Sequence, residues 1–225
     1  MTEFIEKRTC VHNLTKPIVV CYHGDCSDGF GAAWAAWKKF GTRADYLALH
    51  RDEPVPKLKD KEVYMIDFLY VPAITKKLIA ANRRVTGIDH HITARESTLM
   101  THEPLFDNDH SGAVLAWKYF HPGKPVPKLL QYIEDRDIWK WKLPHTREIL
   151  QVLDGVPWDF HAWSRFARDL EQPAARKRHI AHGKLVNAFW ERIVKWAVTF
   201  ADPVIFEGHR AYAELPKLNA LFQQQ

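Results

Sequence analysis

The sequence has little that would place the protein in a membrane or outside the cell. It contains no apolar run of the ~20 residues that a bilayer-spanning helix needs. The segment from Met1 to Lys16 is polar and lacks the apolar stretch of a secretory signal. Cysteine is scarce, and the odd number and spacing of Cys10, Cys21 and Cys26 fit neither a disulfide framework nor a structural zinc site. These absences predict a globular, cytoplasmic protein without a membrane partner.

The composition that is present is ordinary for such a protein. The chain has 225 residues, of which 46% are hydrophobic and 26% charged; this is enough for one α/β domain with an appendage. The net charge is +5. A basic balance is compatible with a polyanionic partner such as a nucleotide, and equally with an unremarkable basic surface.

Acids and imidazoles follow three apolar stretches that are typical of buried strands. Ile18–Tyr22 runs into His23-Gly24-Asp25-Cys26-Ser27-Asp28-Gly29, Val63–Ile66 into Asp67, and Val85–Ile88 into Asp89-His90-His91. In an open α/β sheet, the carboxyl ends of the strands border the ligand crevice. Carboxylate and imidazole are ligands for divalent transition metals. One such cluster could arise by chance on a surface loop, but three predict a metal site.

The alternation of strands and helices predicts the fold class. We expect an α/β fold with a mostly parallel sheet and helices on both faces. The predicted strands are 18–22, 44–49, 63–66 and 84–88, and the predicted helices are 30–40, 72–81, 113–120 after Ser111 as N-cap, and 127–134. Between Asp89-His90-His91 and Pro104 we predict a loop. Residues 145–172 are predicted to be helical and to pack on the sheet.

Three regions follow from this pattern. Residues 1–172 form the expected metal-binding domain, 173–202 a connecting helix, and 203–225 a partial C-terminal lobe. A β-hairpin at 203–214 is predicted to bury Ile205, Phe206 and Tyr212. Because a lone hairpin is marginally stable, it must pack on the connecting helix, on the first lobe, or on another chain, which would make the protein a homodimer.

The order of these motifs resembles the DHH phosphoesterase superfamily. That superfamily includes RecJ-type exonucleases, nano-RNases, cyclic-dinucleotide phosphodiesterases and family II pyrophosphatases. The resemblance covers residues 17–140 and includes Asp135-Arg136-Asp137-Ile138-Trp139 as a fourth motif. It implies a hydrolase that cleaves a phosphodiester in a small nucleotide or short oligonucleotide, using two Mn²⁺ ions, with Mg²⁺ or Co²⁺ as alternatives.

The resemblance also implies roles for individual residues. Asp67 would bridge the two ions, His91 would face the scissile phosphate, and Asp89 would orient the imidazoles. In the fourth motif Asp135 is favoured as a ligand, with Asp137 as its rival. The implied metal ligands are His23, Asp25, Asp28, Asp67, His90 and Asp135.

The first motif departs from the commonest pattern of that superfamily, in which one residue separates the two acids. Here Cys26 stands two residues before Asp28, and Asp25 lies one step earlier. Either Asp25 or Cys26 could be the ligand; we expect Asp25. A thiolate would favour a softer metal than Mn²⁺. A metal-activated water explains the neighbouring acids better than Cys26 as a nucleophile does.

Other features leave alternatives open. Most relatives have a catalytic domain, here residues 1–172, and a second lobe in which a Gly-rich motif grips the substrate. That motif does not occur here, so residues 203–225 are expected to be the remnant of a truncated substrate lobe, or the lobe is missing. The missing lobe favours a non-catalytic nucleotide- or nucleic-acid-binding protein as the alternative. A pyrophosphatase is a further alternative, disfavoured because the first motif differs from that subgroup's longer His-to-Asp spacing. The basic run 176–179 is interpreted as a solvated helix face. Five tryptophans are assigned to the core rather than to base stacking, namely Trp34, Trp37, Trp117, Trp139 and Trp141.

Overall fold

Strands that are apolar on both faces form a five-stranded parallel sheet at the centre of the protein. The computed structural model describes residues 14–50, 53–199, 203–206 and 208–212. In chain order the sheet strands are β1 (Ile18–His23), β2 (Ala44–Leu49), β3 (Glu62–Ile66), β4 (Arg84–Asp89) and β5 (Glu103–Phe106). The helices are α1 (Ser27–Phe40), α2 (Pro72–Ala81), α3 (Arg95–Leu99), α4 (Gly112–Phe120), α5 (Lys128–Asp137), α6 (Thr146–Leu153), α7 (Phe160–Glu171) and α8 (Pro173–Val198).

Both faces of the sheet are covered, which confirms the predicted α/β class. Alternate residues of β1 point to opposite sides: Val20 joins the larger core with Trp34 of α1 and Trp117 of α4. Val19 joins the smaller core, which also contains Leu78 of α2. Residues of a strand alternate between faces, so a run that is apolar throughout serves two cores at once.

The strand order creates a crevice at a defined place. Reading across the sheet, the order is β2-β1-β3-β4-β5. The chain therefore leaves β1 toward one edge to form β2, then crosses to the other side of β1 to form β3. In doubly wound sheets ligands bind outside the carboxyl ends of the strands at this reversal. His23 ends β1 and Asp67 follows β3 at that point.

Several boundaries differ from the predicted ones. Helix α5 continues to Asp137, three residues beyond the predicted end, and the predicted helical stretch 145–172 is divided into α6 and α7. Helix α1 begins at Ser27, three residues before the predicted start at Phe30, so Asp28 lies in its first turn. The predicted loop before Pro104 is wrong, because the chain forms α3 and the edge strand β5 there. Strand β5 is short and contains the exposed Pro104, which only an edge strand tolerates.

The end of the described chain is a long helix and a hairpin. In its first half α8 packs closely on α6: a Cβ at Gly183 would lie 2.0 Å from the carbonyl oxygen of Glu148. In its second half large apolar side chains such as Phe189 and Trp190 are exposed. Strands β6 (Pro203–Phe206) and β7 (His209–Tyr212) pair antiparallel.

Of the three hairpin side chains predicted to be buried, the structure describes that of Ile205. It is 73% exposed, which contradicts its burial within this chain, and burial against another chain stays a prediction. The side chains of Phe206 and Tyr212 lie outside the described part of the chain. No described helix is both long enough and apolar enough to cross a bilayer.

Candidate metal centre

Carboxylate, imidazole and thiol groups converge at the carboxyl ends of β1, β3 and β4. They form three overlapping groups, in each of which the potential ligand atoms lie within 4.8 Å of one another. The groups are His23 with Cys26 and Asp67, Asp67 with His90 and His91, and Asp28 with His90 and Asp137. Asp67 and His90 each belong to two groups, so the three form one continuous cluster.

Asp67 lies at the middle of the cluster. Its Oδ2 is 3.7 Å from His23 Nδ1, and its Oδ1 is 3.3 Å from His90 Nε2. The side chain is buried, and neither oxygen has a hydrogen-bond partner among the described residues. Burial acts to raise the pKa of Asp67, but the imidazoles of His23 and His90 outweigh it and lower the pKa. The two oxygens therefore face two different sets of ligands.

Helix α4 brings its amino terminus against the cluster. Backbone N–H groups of Gly112 and Ala113 donate to the Asp28 carboxylate at 2.6 and 3.0 Å. A Cβ at Gly112 would lie 2.7 Å from the Cβ of Asp67, so only glycine permits this approach. Burial, with the nearby Asp67 and Asp137 carboxylates, raises the pKa of Asp28 well above its usual value. A cation between these acids would relieve their repulsion.

The turn after β4 gives its two imidazoles different positions. Oδ1 of Asp89 accepts the backbone N–H groups of His90 and His91 and lies 2.8 Å from Nδ1 of His91. His90 turns inward, with Nε2 3.5 Å from Asp137 Oδ2. The His91 side chain is 40% exposed. The hydrogen bond to Asp89 raises the pKa of His91. His90 thus faces the interior of the cluster and His91 its mouth.

In the fourth motif the structure places Asp137, and not the favoured Asp135, in the cluster. The Asp135 carboxylate accepts hydrogen bonds from the backbone N–H groups of Lys142 and Leu143 and from the hydroxyl of Thr146. Asp137 Oδ2, by contrast, is buried in the cluster and has no hydrogen-bond partner in the part of the chain described. Residues two apart on a helix face different directions, so one acid anchors a turn and the other joins the cluster.

The first motif also differs from expectation. Asp25, the expected ligand, has a left-handed backbone with φ 52°, and its side chain is 88% exposed. Cys26, at the N-cap of α1, instead lies with His23 and Asp67. Contact with Asp67, and then with Cys26, raises the pKa of His23 to about 10. Cys26 is therefore the residue of this pair that the fold brings into the cluster.

Two neighbours of the cluster were not singled out from the sequence. His50 directly follows β2, and its ring packs against Gly24. A Cβ added at Gly24 would lie 2.3 Å from His50 Cε1. The rule that polar residues follow strands could have found it. Arg136 donates from Nη2 to Ser27 Oγ at 2.9 Å. Nothing in the sequence distinguished Arg136 from any other arginine on a helix.

The cluster fits divalent cations. Buried polar atoms are normally hydrogen-bonded, yet several atoms here have no such partner among the described residues. They are Oδ1 and Oδ2 of Asp67, Oδ2 of Asp89, Nε2 of His90 and Oδ2 of Asp137. Their concentration in one place, and their chemistry as carboxylate and imidazole groups, are what a transition-metal site requires.

Comparisons with known proteins concern sequence and fold. No family model matches the sequence. The chain is 34% identical over 180 residues to uncharacterised protein R106 of Acanthamoeba polyphaga mimivirus; the match spans 72% of this chain and 43% of the viral protein. A crystal structure of an uncharacterised protein from Helicobacter pylori G27 superimposes with a TM-score of 0.55 at 13% identity, covering 76% of this chain and 62% of that one. The chain therefore spans less than two thirds of either relative, and neither description names an activity.

Proposed function

We propose that the protein is a metal-dependent phosphoesterase that hydrolyses a phosphodiester in a small nucleotide or short oligonucleotide. The observation that carries the proposal is Asp67, a buried acid with φ 57° whose two oxygens have no hydrogen-bond partner in the described residues. Backbone strain and unsatisfied buried polar groups both cost stability, so their coincidence at a strand end favours a functional role. The order of the motifs, which resembles the DHH phosphoesterases, supports the same reaction.

The ligand sets suggest two cation positions that share Asp67. His23, Cys26 and Asp67 would hold one ion; Asp67, Asp28, His90 and Asp137 would hold the other. When bound, two such ions supply a nucleophilic water at neutral pH and neutralise charge on the phosphoryl oxygens. We propose Mn²⁺ or Mg²⁺ for the position with only oxygen and nitrogen ligands. The Cys26 thiolate favours a softer ion such as Co²⁺ at the other.

The residues of the chain supply orientation and charge. Nδ1–H of His91 donates to Asp89, so Nε2, on the far side of the ring, donates to a phosphate oxygen when the imidazole is protonated, the form that the raised pKa of His91 favours. A hydrogen bond that strengthens as charge develops on that oxygen lowers the barrier. Arg136, held by Ser27 Oγ at the first motif, adds a positive charge beside the cluster.

The test is hydrolysis of bis(p-nitrophenyl) phosphate by protein stripped with EDTA and then titrated with Mn²⁺ or Co²⁺. We expect turnover to depend on the added metal and to be abolished in Asp67→Asn. Asp169→Asn, the same change at a surface acid paired with His179, is the matched control and should retain full activity. Metal binding without any turnover would contradict the proposal and favour a nucleotide-binding protein.

A further inference from the structure

A tryptophan pair projects from the loop after α5. Trp139 and Trp141 both have left-handed backbones, with φ 55° and 49°, a conformation that bulky residues rarely adopt. Trp139 is 79% exposed and Trp141 36% exposed. The assignment of Trp139 and Trp141 to the core is therefore wrong, whereas Trp34 and Trp117 are buried as predicted. A large aromatic ring held in solvent by a strained backbone needs an explanation.

The loop is fixed in place by the last turn of α5. Trp139 N–H donates to the carbonyl of Arg136 at 3.1 Å, and Trp141 N–H donates to the carbonyl of Asp135 at 3.0 Å. The Asp135 carboxylate holds the next residue, Lys142, through its backbone N–H at 2.7 Å. The turn is thus held by Asp135, the acid of the fourth motif that lies outside the cluster.

The same turn of helix sets the distance between the loop and the cluster. Asp137 lies in the cluster, and Trp139 follows two residues later. Two residues span at most ~7 Å between Cα atoms. This separation is comparable to that between the phosphate and the base of a single nucleotide.

The rings are arranged so that an aromatic face stays available. Trp139 and Trp141 meet edge to face, with centroids 6.0 Å apart and an interplanar angle of 73°. The guanidinium of Arg147 lies 5.2 Å from the centre of the Trp141 ring, a cation–π distance that steadies that ring. Trp139 is thus supported along its contact with Trp141, and most of its surface remains open.

We propose that Trp139, supported by Trp141, stacks the nucleobase of the substrate beside the metal centre. This inference rests on the proposed function and names the part of the substrate that the loop recognises. Aromatic rings stack any base because every base has a π-face. The exposed Lys142 on the same loop and the exposed Arg147 in the first turn of α6 complement the charge of a nucleotide, which favours this occupant over an uncharged apolar partner.

The experiment compares two ligands that differ only by the base. Adenosine 5′-monophosphate and ribose 5-phosphate are titrated by calorimetry into Mn²⁺-loaded protein. We expect Trp139→Ala to weaken binding of the nucleotide roughly 5- to 150-fold, the effect of losing one base–aromatic stack. Binding of ribose 5-phosphate should not change, and Trp139→Phe should restore most of the nucleotide affinity. Trp190→Ala, at a half-exposed tryptophan on α8, is the matched control and should alter neither affinity.

Equal affinity of the wild type for the two ligands would overturn the stacking proposal. So would a Trp139→Ala variant that binds the nucleotide normally but sediments as a smaller species, because the loop would then be an interface between copies of the chain. The measurement does not depend on turnover. Base-dependent binding through Trp139 in a protein that hydrolyses nothing would uphold stacking and refute the phosphoesterase. Turnover without base-dependent binding would uphold the phosphoesterase and refute stacking.

Discussion

At the scale of the residue, Cys26 adds a thiol to a cluster of carboxylates and imidazoles. Cys21 and Cys26 are close in sequence but differ in environment: burial raises the pKa of the Cys21 thiol to about 12, which keeps it protonated and inert. Cys26 is half-buried and lies with His23 and Asp67. A thiol in that position becomes a ligand when it loses its proton to a metal.

We therefore predict that Cys26 coordinates metal. Protein loaded with Co²⁺ should show the near-ultraviolet charge-transfer absorption of a cobalt–thiolate bond, and Cys26→Ser should lose it. Cys21→Ala is the control and should retain it. Cys26→Asp should shift metal preference toward Mn²⁺, because an oxygen replaces sulfur. Absence of the band from the wild type, or loss of metal in Asp25→Asn, would return the ligand role to Asp25, whereas retention of the band in Cys26→Ser would assign the thiolate to another cysteine.

His91 is predicted to act on the substrate rather than on the metal. His91→Ala should lower kcat for a phosphodiester about 10²–10³-fold, the usual effect of removing one donor to a developing charge. Metal content should stay the same, since His90 supplies the inward-facing imidazole. Elemental analysis beside steady-state kinetics checks both points. A variant that loses a metal ion would show that His91, which lies with Asp67 and His90, is a ligand.

At the scale of the element, the last turn of α5 serves two purposes. Its Asp135 closes the loop that carries the tryptophans, and its Asp137 reaches the metal cluster. The helix also carries Arg136 toward the first motif. One turn of helix thus connects the tryptophan loop, the cluster of potential metal ligands and a positive charge beside that cluster.

Substitutions of the two acids should therefore separate stability from metal binding. Asp135→Asn should lower the free energy of unfolding by about 1.5–3 kcal/mol, since hydrogen bonds to a charged group are lost, while metal stoichiometry stays unchanged. Asp137→Asn should reduce metal content with little loss of stability. Urea unfolding and elemental analysis measure the two effects. The opposite pattern would restore Asp135 as the ligand.

The sequence predicted elements better than it predicted the direction of side chains within them. Strands β1, β3 and β4 were recognisable because buried parallel strands are continuously apolar. The motif Asp135-Arg136-Asp137 identified the turn that reaches the cluster but not which of its acids lies there, since the spacing did not show that α5 continues to Asp137 or how that turn is rotated about the helix axis. Strand β5 was missed because it is short and contains Pro104.

Asp25 was expected in the cluster, whereas the fold places Cys26 there, for a similar reason. This placement depends on the left-handed backbone at Asp25 and on α1 beginning at Ser27. A pattern of residue types does not encode that turn. The position of Trp139 was missed for the same reason, because its exposure depends on how Asp135 closes the loop.

At the scale of the whole molecule, the cluster joins parts of the chain that are distant in sequence. Residues from β1, α1, β3, β4 and α5 meet at the reversal in strand order, and the amino terminus of α4 closes on Asp28. Burying several carboxylates together costs free energy that a bound cation recovers. Folding and metal binding should therefore be coupled.

We predict that divalent metal stabilises the fold. At a free concentration about 100 times its Kd, an ion that binds only the folded state adds about 2.7 kcal/mol per site, which corresponds to a rise in Tm of roughly 5–10 °C for a chain of this length. Calorimetric scans with EDTA and with Mn²⁺ or Co²⁺ measure the rise. Asp67→Asn should largely lose it, whereas Asp169→Asn should behave as the wild type. An equal Tm with and without metal would argue against coupling.

The most direct test of the metal centre is the number of ions bound per chain. Protein stripped of metal, incubated with Mn²⁺ and Co²⁺ and freed of excess by gel filtration is measured by elemental analysis. The arrangement around Asp67 predicts a total of two ions per chain in the wild type and fewer in Asp67→Asn, with both proteins folded by circular dichroism. A folded wild type that binds close to zero ions would contradict the metal centre and the phosphoesterase proposed from it.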